Sequence, residues 1–220
     1  MLYLSDPQYI TIKPVLRQTN IHKFMESKDR KHKILITGTG RAGTTFLMEL
    51  LTNLGIDTGF NIEDCHDSRY VSPYCHGGME KKVTDNGYVI KSPSFCTEIP
   101  KLMTQCIIDH VFIPVRDMET AANSRTVRGN RWGGLLATSE PEKQKTVLLE
   151  IFGKLVSDLV LNDIPHSFLI FPRLALDVDY CFNALKPLFN KIETPISRET
   201  FTRIFNLISK PNLIHNYPSN

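Results

Sequence analysis

No apolar run in this sequence of 220 residues approaches the roughly 20 that a membrane-crossing helix needs. The opening segment also lacks an apolar core of the signal-peptide kind, because Asp6, Pro7, Gln8 and Lys13 interrupt it. Charge of one sign is scarce. The formal net charge of +3 is too small to point to nucleic acid or a membrane surface, and it is compatible with a local anion site. Cysteines are few and irregular: Cys65, Cys75, Cys96, Cys106 and Cys181 form no CxxC pair and are odd in number. That argues against a disulfide framework or a zinc site, and leads us to expect reduced thiols in a cytosolic compartment. Repeats and low-complexity stretches are absent. What remains is an ordinary globular composition, 41% hydrophobic and 22% charged, long enough for a single domain with one substantial core.

The pattern alternates between strand and helix. Residues 1–32 form an irregular lead-in, whose basic, polar character extends from Lys28 to Lys33. Ile34-Leu35-Ile36-Thr37 is a short β-branched run that predicts a buried parallel strand. Beyond the glycines that follow it, Phe46, Leu47, Leu50, Leu51 and Leu54 recur at helical spacing, and Gly55 is placed to cap that helix. Further strands are expected at 88–90, 110–115 and 167–171. Helices are expected at 99–106, 118–128, 140–162, 177–190 and 197–209. The predicted fold class is a three-layer α/β fold of the P-loop type, with a central parallel sheet flanked by helices. Residues 57–87 lack periodicity and predict a long acceptor-side loop.

Gly38-Thr39-Gly40-Arg41-Ala42-Gly43-Thr44-Thr45 lies between a strand and a helix. Backbone N–H groups there, aided by the helix dipole, make an anion cradle. Three nucleotide chemistries compete for it. G-x-G-x-x-G is matched by Gly38, Gly40 and Gly43, but the second strand that should lead to an acidic residue near Asp57 is poor. The triphosphate loop G-x-x-x-x-G-K-[ST] runs from Gly38 to Thr45, but Thr44 stands where the lysine should be.

The third chemistry follows from a resemblance. Arg41-Ala42-Gly43-Thr44-Thr45-Phe46-Leu47 resembles the [RK]-S-G-T-T-x-[LW] loop of sulfotransferases that use PAPS (3′-phosphoadenosine 5′-phosphosulfate), with Ala42 in place of Ser. Arg116-Asp117, with Ser124 eight positions after Arg116, resembles that family's strand-end element for the 3′-phosphate, with Met118 in place of proline. Gly55–Phe60, Trp132–Leu135 and Phe171–Leu174 look like features of a small bacterial-type subgroup. The resemblance implies that Gly38–Thr45 hold the 5′-phosphosulfate and that Arg116 and Ser124 hold the 3′-phosphate. The implied co-substrate is PAPS, released as PAP, without a metal. The implied reaction is sulfuryl transfer to a hydroxyl or amine of a small-molecule or carbohydrate acceptor. A P-loop kinase, or a nucleotide-binding protein without transfer, is the alternative.

Sulfuryl transfer depends on positioning and on cations placed where charge develops. Arg41 is the first such cation. Lys91 is the second, in a Lys91-Ser92-Pro93 element that resembles the family's K-T-H, with Pro93 where the histidine base would be. A base must then come from elsewhere. Glu63 and His66 are the candidates, in a loop that also carries Asp64 and His76. Trp132 could line the acceptor pocket or anchor its glycine-rich surroundings.

Overall fold

A computed structural model describes residues 30–72, 77–128 and 139–214. Four strands, β1 (His32–Ile36), β2 (Val89–Lys91), β3 (Ile107–Val115) and β4 (His166–Ile170), form one parallel sheet in the order β2-β1-β3-β4. Side chains alternate between its faces. Ile34, Ile36, Val89, Phe112 and Leu169 enter one core, shared with α1 (Thr44–Asn53) and with α5 (Arg173–Leu176), α6 (Val178–Ala184), α7 (Lys186–Phe189) and α8 (Arg198–Ile208). Leu35, Ile90, Val111 and Ile113 enter the other, against α2 (Phe95–Leu102) and α4 (Pro141–Leu161). The α3 helix (Met118–Arg128) packs on α4 through Ala121, Ala122 and Leu148. The expected three-layer α/β arrangement is therefore present, with both faces of the parallel sheet covered.

Several boundaries differ from expectation for local reasons. The lead-in gives way to β1 at His32, because Lys33 is buried and its ammonium donates to the carbonyls of Asp85 (3.0 Å) and Gly87. A shift of register between Lys33 and Ile34 lets β3 begin as early as Ile107. The α2 helix starts at Phe95 rather than Ile99, because Phe95, Cys96, Ile99 and Leu102 form its buried stripe while Pro100 stays exposed. The helix expected at 177–190 is two helices that part at Leu185. Pro187, at the start of α7, cannot donate to a preceding carbonyl.

The α1 helix ends as the sequence predicts. Gly55 has φ +77 and donates to the Thr52 carbonyl, and Ile56 donates to Leu51 O at 3.0 Å, so two orphan carbonyls are satisfied at once. The chain runs from β1 to β2 on one side, then crosses to β3 on the other. That reversal places a crevice at the carboxyl ends of β1 and β3, where open α/β sheets bind ligands.

Candidate functional site

A cavity of about 360 Å³ lies at these strand ends. One wall is the loop after β1. Gly40 (φ +77), Arg41 (φ +60) and Gly43 (φ +82) all take left-handed backbone, and this turns the chain into α1. Glycine is required at two of these positions for more than its φ. A Cβ on Gly43 would meet the Phe171 ring at 2.8 Å, and one on Gly40 would meet the Arg125 guanidinium at 2.6 Å. Arg41 holds its strained conformation between two partners. Its carbonyl accepts from Arg116 Nη1 at 3.2 Å, and its Nε donates to Ser124 Oγ at 3.3 Å. The loop also borders the amino end of α1, whose first turn carries no acidic side chain and is therefore open to an anion.

The second wall is the end of β2 and the segment before it. Lys91 is almost wholly buried, and its Nζ donates to Gly78 O at 2.6 Å and to Thr45 Oγ1 at 3.4 Å. Glu80 Oε1 lies 3.5 Å from the same ammonium. Val71 and Gly78 pair in an isolated antiparallel bridge, and Met79 is buried in the core, which directs the next residue, Glu80, to the cavity. Arg116 at the end of β3 is 7% exposed, and its guanidinium lies 5.4 Å from the Phe171 ring centroid. Ser124 and Arg125 project from α3.

The electrostatics are one-sided. Arg41, Lys91, Arg116, Arg125 and Lys210 line the cavity against one described carboxylate, Glu80. Burial, and then the neighbouring Arg41 charge, lower the pKa of Arg125 from its ordinary value, so these cations repel each other. An anion bound among them relieves that repulsion. An apolar part of the surface is formed by Phe46, Phe171, Ala175, Ile208, Leu213 and Ile214.

Of the residues expected from the sequence, Gly40, Arg41, Gly43, Thr44, Thr45, Lys91, Arg116 and Ser124 line this one cavity. Gly38, Thr39 and Ala42 stand behind it and support the loop. A Cβ on Gly38 would press on the Pro114 carbonyl, Thr39 O accepts from Arg125, and Ala42 is fully buried. Glu63 and His66 are not brought to the cavity. They are exposed on a 3-10 turn, Glu63–His66, in which Asp64 accepts from Asn61 N–H. His76 and Trp132 fall outside the described residues. Sequence reasoning passed over Glu80, Arg125 and Lys210. Arg125 directly follows Ser124, and Glu80 lies within the predicted acceptor-side loop, so both were within sight of a recognised feature. Lys210 carried no such signal.

Among the described residues, no cluster of three or more His, Cys, Asp or Glu side chains could hold a metal ion. No described helix is long and apolar enough to cross a membrane. No family model matches the chain, and no curated protein matches it. Solved structures similar to it include the sulfotransferase domain from the curacin biosynthetic pathway, at 13% identity and TM-score 0.43, covering 77% of this chain and 76% of that one. Another is the sulfotransferase domain from the Synechococcus PCC 7002 olefin synthase, at 12% identity and TM-score 0.48, covering 86% and 84%. At these values the likeness assigns no activity to this chain.

Proposed function

We propose that this chain is a sulfotransferase that takes its sulfuryl group from PAPS. The observation that carries this reading is the meeting of two anion-binding elements far apart in sequence. Arg116 donates to the Arg41 carbonyl and Arg41 donates to Ser124, so the phosphate loop and the β3–α3 element share one cavity wall. A nucleotide with anions on both its 5′ and 3′ sides matches two such elements, whereas a mononucleotide uses one. A 3′-phosphate adds about 1.5 to 2 negative charges to the two of a phosphosulfate, which suits five cations around one carboxylate.

PAPS supplies a sulfuryl group on a phosphate leaving group, and the chain's residues supply the rest. The N–H groups at the start of α1, with Thr44 and Thr45, hold the 5′ anion. Arg116 and Ser124 hold the 3′-phosphate, and Arg116 offers the bidentate geometry that a guanidinium brings to phosphate. The apolar wall of Phe46 and Phe171 takes the adenine. Arg41 and Lys91 face the charge that develops as the S–O bond breaks, where fixed cations stabilise the transition state more than the ground state.

Glu80 is placed to accept the proton of the acceptor hydroxyl. It lines the cavity with its Oε1 3.5 Å from the Lys91 ammonium, on the side where the developing charge is met. In this reading the base comes from Glu80, because Glu63 and His66 do not reach the cavity. The test is thermal unfolding with added nucleotide. PAP should raise the melting temperature well beyond AMP or ATP with magnesium, and equal stabilisation by AMP and PAP would refute the 3′-phosphate assignment.

A further inference from the structure

A backbone cradle binds an anion only if its N–H groups face the anion and its carbonyls do not. In the loop Gly38–Gly43, two carbonyls are taken up by guanidinium groups that themselves line the cavity. Arg116 Nη1 takes Arg41 O at 3.2 Å, and Arg125 Nη2 takes Thr39 O. Arg116 has a role in the reading above, and Arg125 has none. Yet Arg125 is as fully committed to the loop as Arg116. It is 6% exposed, and its Nη2 lies 2.6 Å from where a Cβ on Gly40 would be, so it fills the space against the glycine that turns the chain. Any residue larger than glycine at position 40 would displace this guanidinium. A buried cation is costly to keep unless its charge is used, and here a backbone carbonyl and the cavity both use it.

We propose that Arg125 is a positioning residue for the 5′ anion. Its guanidinium withdraws the Thr39 carbonyl from the anion's path and holds the loop in its left-handed form, so that the N–H groups of the cradle stay turned inward. This rests on the proposed donor site but makes a separate statement about it. Being next to Ser124, Arg125 has an obvious rival role as a direct ligand of the 3′-phosphate. The two roles predict opposite patterns, because AMP has a 5′-phosphate and no 3′-phosphate.

The experiment is calorimetric titration of the full chain with PAP and with AMP, comparing wild type, R125A, R125Q and R116A. R125A should weaken both nucleotides by the same factor, about tenfold or more, leaving the PAP-to-AMP ratio as in wild type. R125Q keeps an N–H donor for the Thr39 carbonyl but no charge, so it should lose less than R125A with the same ratio. Methylguanidine added to R125A should restore affinity for both nucleotides, which a purely structural defect would not allow. R116A should instead collapse the ratio. A loss confined to PAP in R125A would make Arg125 a 3′-phosphate ligand and overturn the proposal, as would unchanged affinity for both. If R125A does not fold, R125Q carries the test: an equal loss for both nucleotides supports the proposal, and a loss confined to PAP, or none, overturns it. Wild-type protein that binds both nucleotides equally defeats the 3′-phosphate reading but leaves the loop role to be decided by R125A. Wild-type protein that binds neither defeats both.

Discussion

Arg41 and Glu80 face the same cavity, the proposed function gives them opposite tasks, and their variants separate those tasks. Arg41→Ala removes a cation from the site of developing charge. It should lower kcat by about 10²–10³-fold while changing PAP affinity far less. Glu80→Gln removes the proton acceptor, and should lower kcat by about 10²-fold or more with PAP binding intact. Both are read from PAP release across a panel of hydroxyl acceptors, set beside calorimetric PAP affinities. An unchanged kcat in either variant would sink that residue's role.

A different residue links the fold's stability to pH. His110 is buried in β3 within 2.9 Å of Ser167 Oγ, and burial pushes its pKa down to about 4. Its ordinary value is 6.5, so the unfolded chain binds this proton more readily than the folded one. The stabilisation is therefore fully present above pH 6.5 and is lost as pH falls from there towards about 4, by about 3 kcal/mol at most. Urea unfolding of His110→Gln against pH should show a shallower slope across this window than wild type.

At the scale of elements, α1 is bounded by two glycines in the same backbone region with different surroundings. Gly43 (φ +82) starts it under the Phe171 ring, and Gly55 (φ +77) ends it with open space around its missing Cβ. Gly55→Ala should therefore cost only the backbone penalty, about 1 kcal/mol, with PAP affinity unchanged. Gly43→Ala adds a clash with Phe171 and distorts the cradle, so it should cost more and weaken PAP. Chemical denaturation and PAP titration of the two variants test this. Equal costs would show that the contact with Phe171 is soft. The strand–loop–helix unit itself was legible in the sequence, because β1, three glycines and the α1 stripe are contiguous and each follows from local preference. The α2 start and the break at Leu185 were not legible to the same degree. They depend on which side of a helix meets the sheet and on where a proline falls in the first turn of α7.

For the whole molecule, ligand binding and stability are linked. PAP at about 100 times its Kd should add about 2.7 kcal/mol, which for a chain of this size is a rise of roughly 5–10 °C in melting temperature. A smaller rise in high salt is expected, since exposed members of the cationic wall are screened while Lys91 and Arg116, 2% and 7% exposed, are not. The pieces of the candidate site that could be seen in advance were those carried by a local pattern: the glycine loop, Arg116 at a strand end, Ser124 on the helix after it, and Lys91 after a short apolar run. The candidates that failed to reach the cavity, Glu63 and His66, came from a loop with no periodicity, where sequence offers residue types but no direction.

The sequence by itself determined the alternation of strands and helices and the residues of the glycine loop after β1, because hydrophobic period and glycine placement act over a few positions. Tertiary structure alone decided which distant side chains share a wall. The crossover from β2 past β1 to β3 brings Arg116, Ser124 and Arg125 onto the loop. The bridge between Val71 and Gly78, with Met79 buried beside it, turns Glu80 towards Lys91. Both outcomes depend on packing between segments far apart in the chain, and no local preference encodes that.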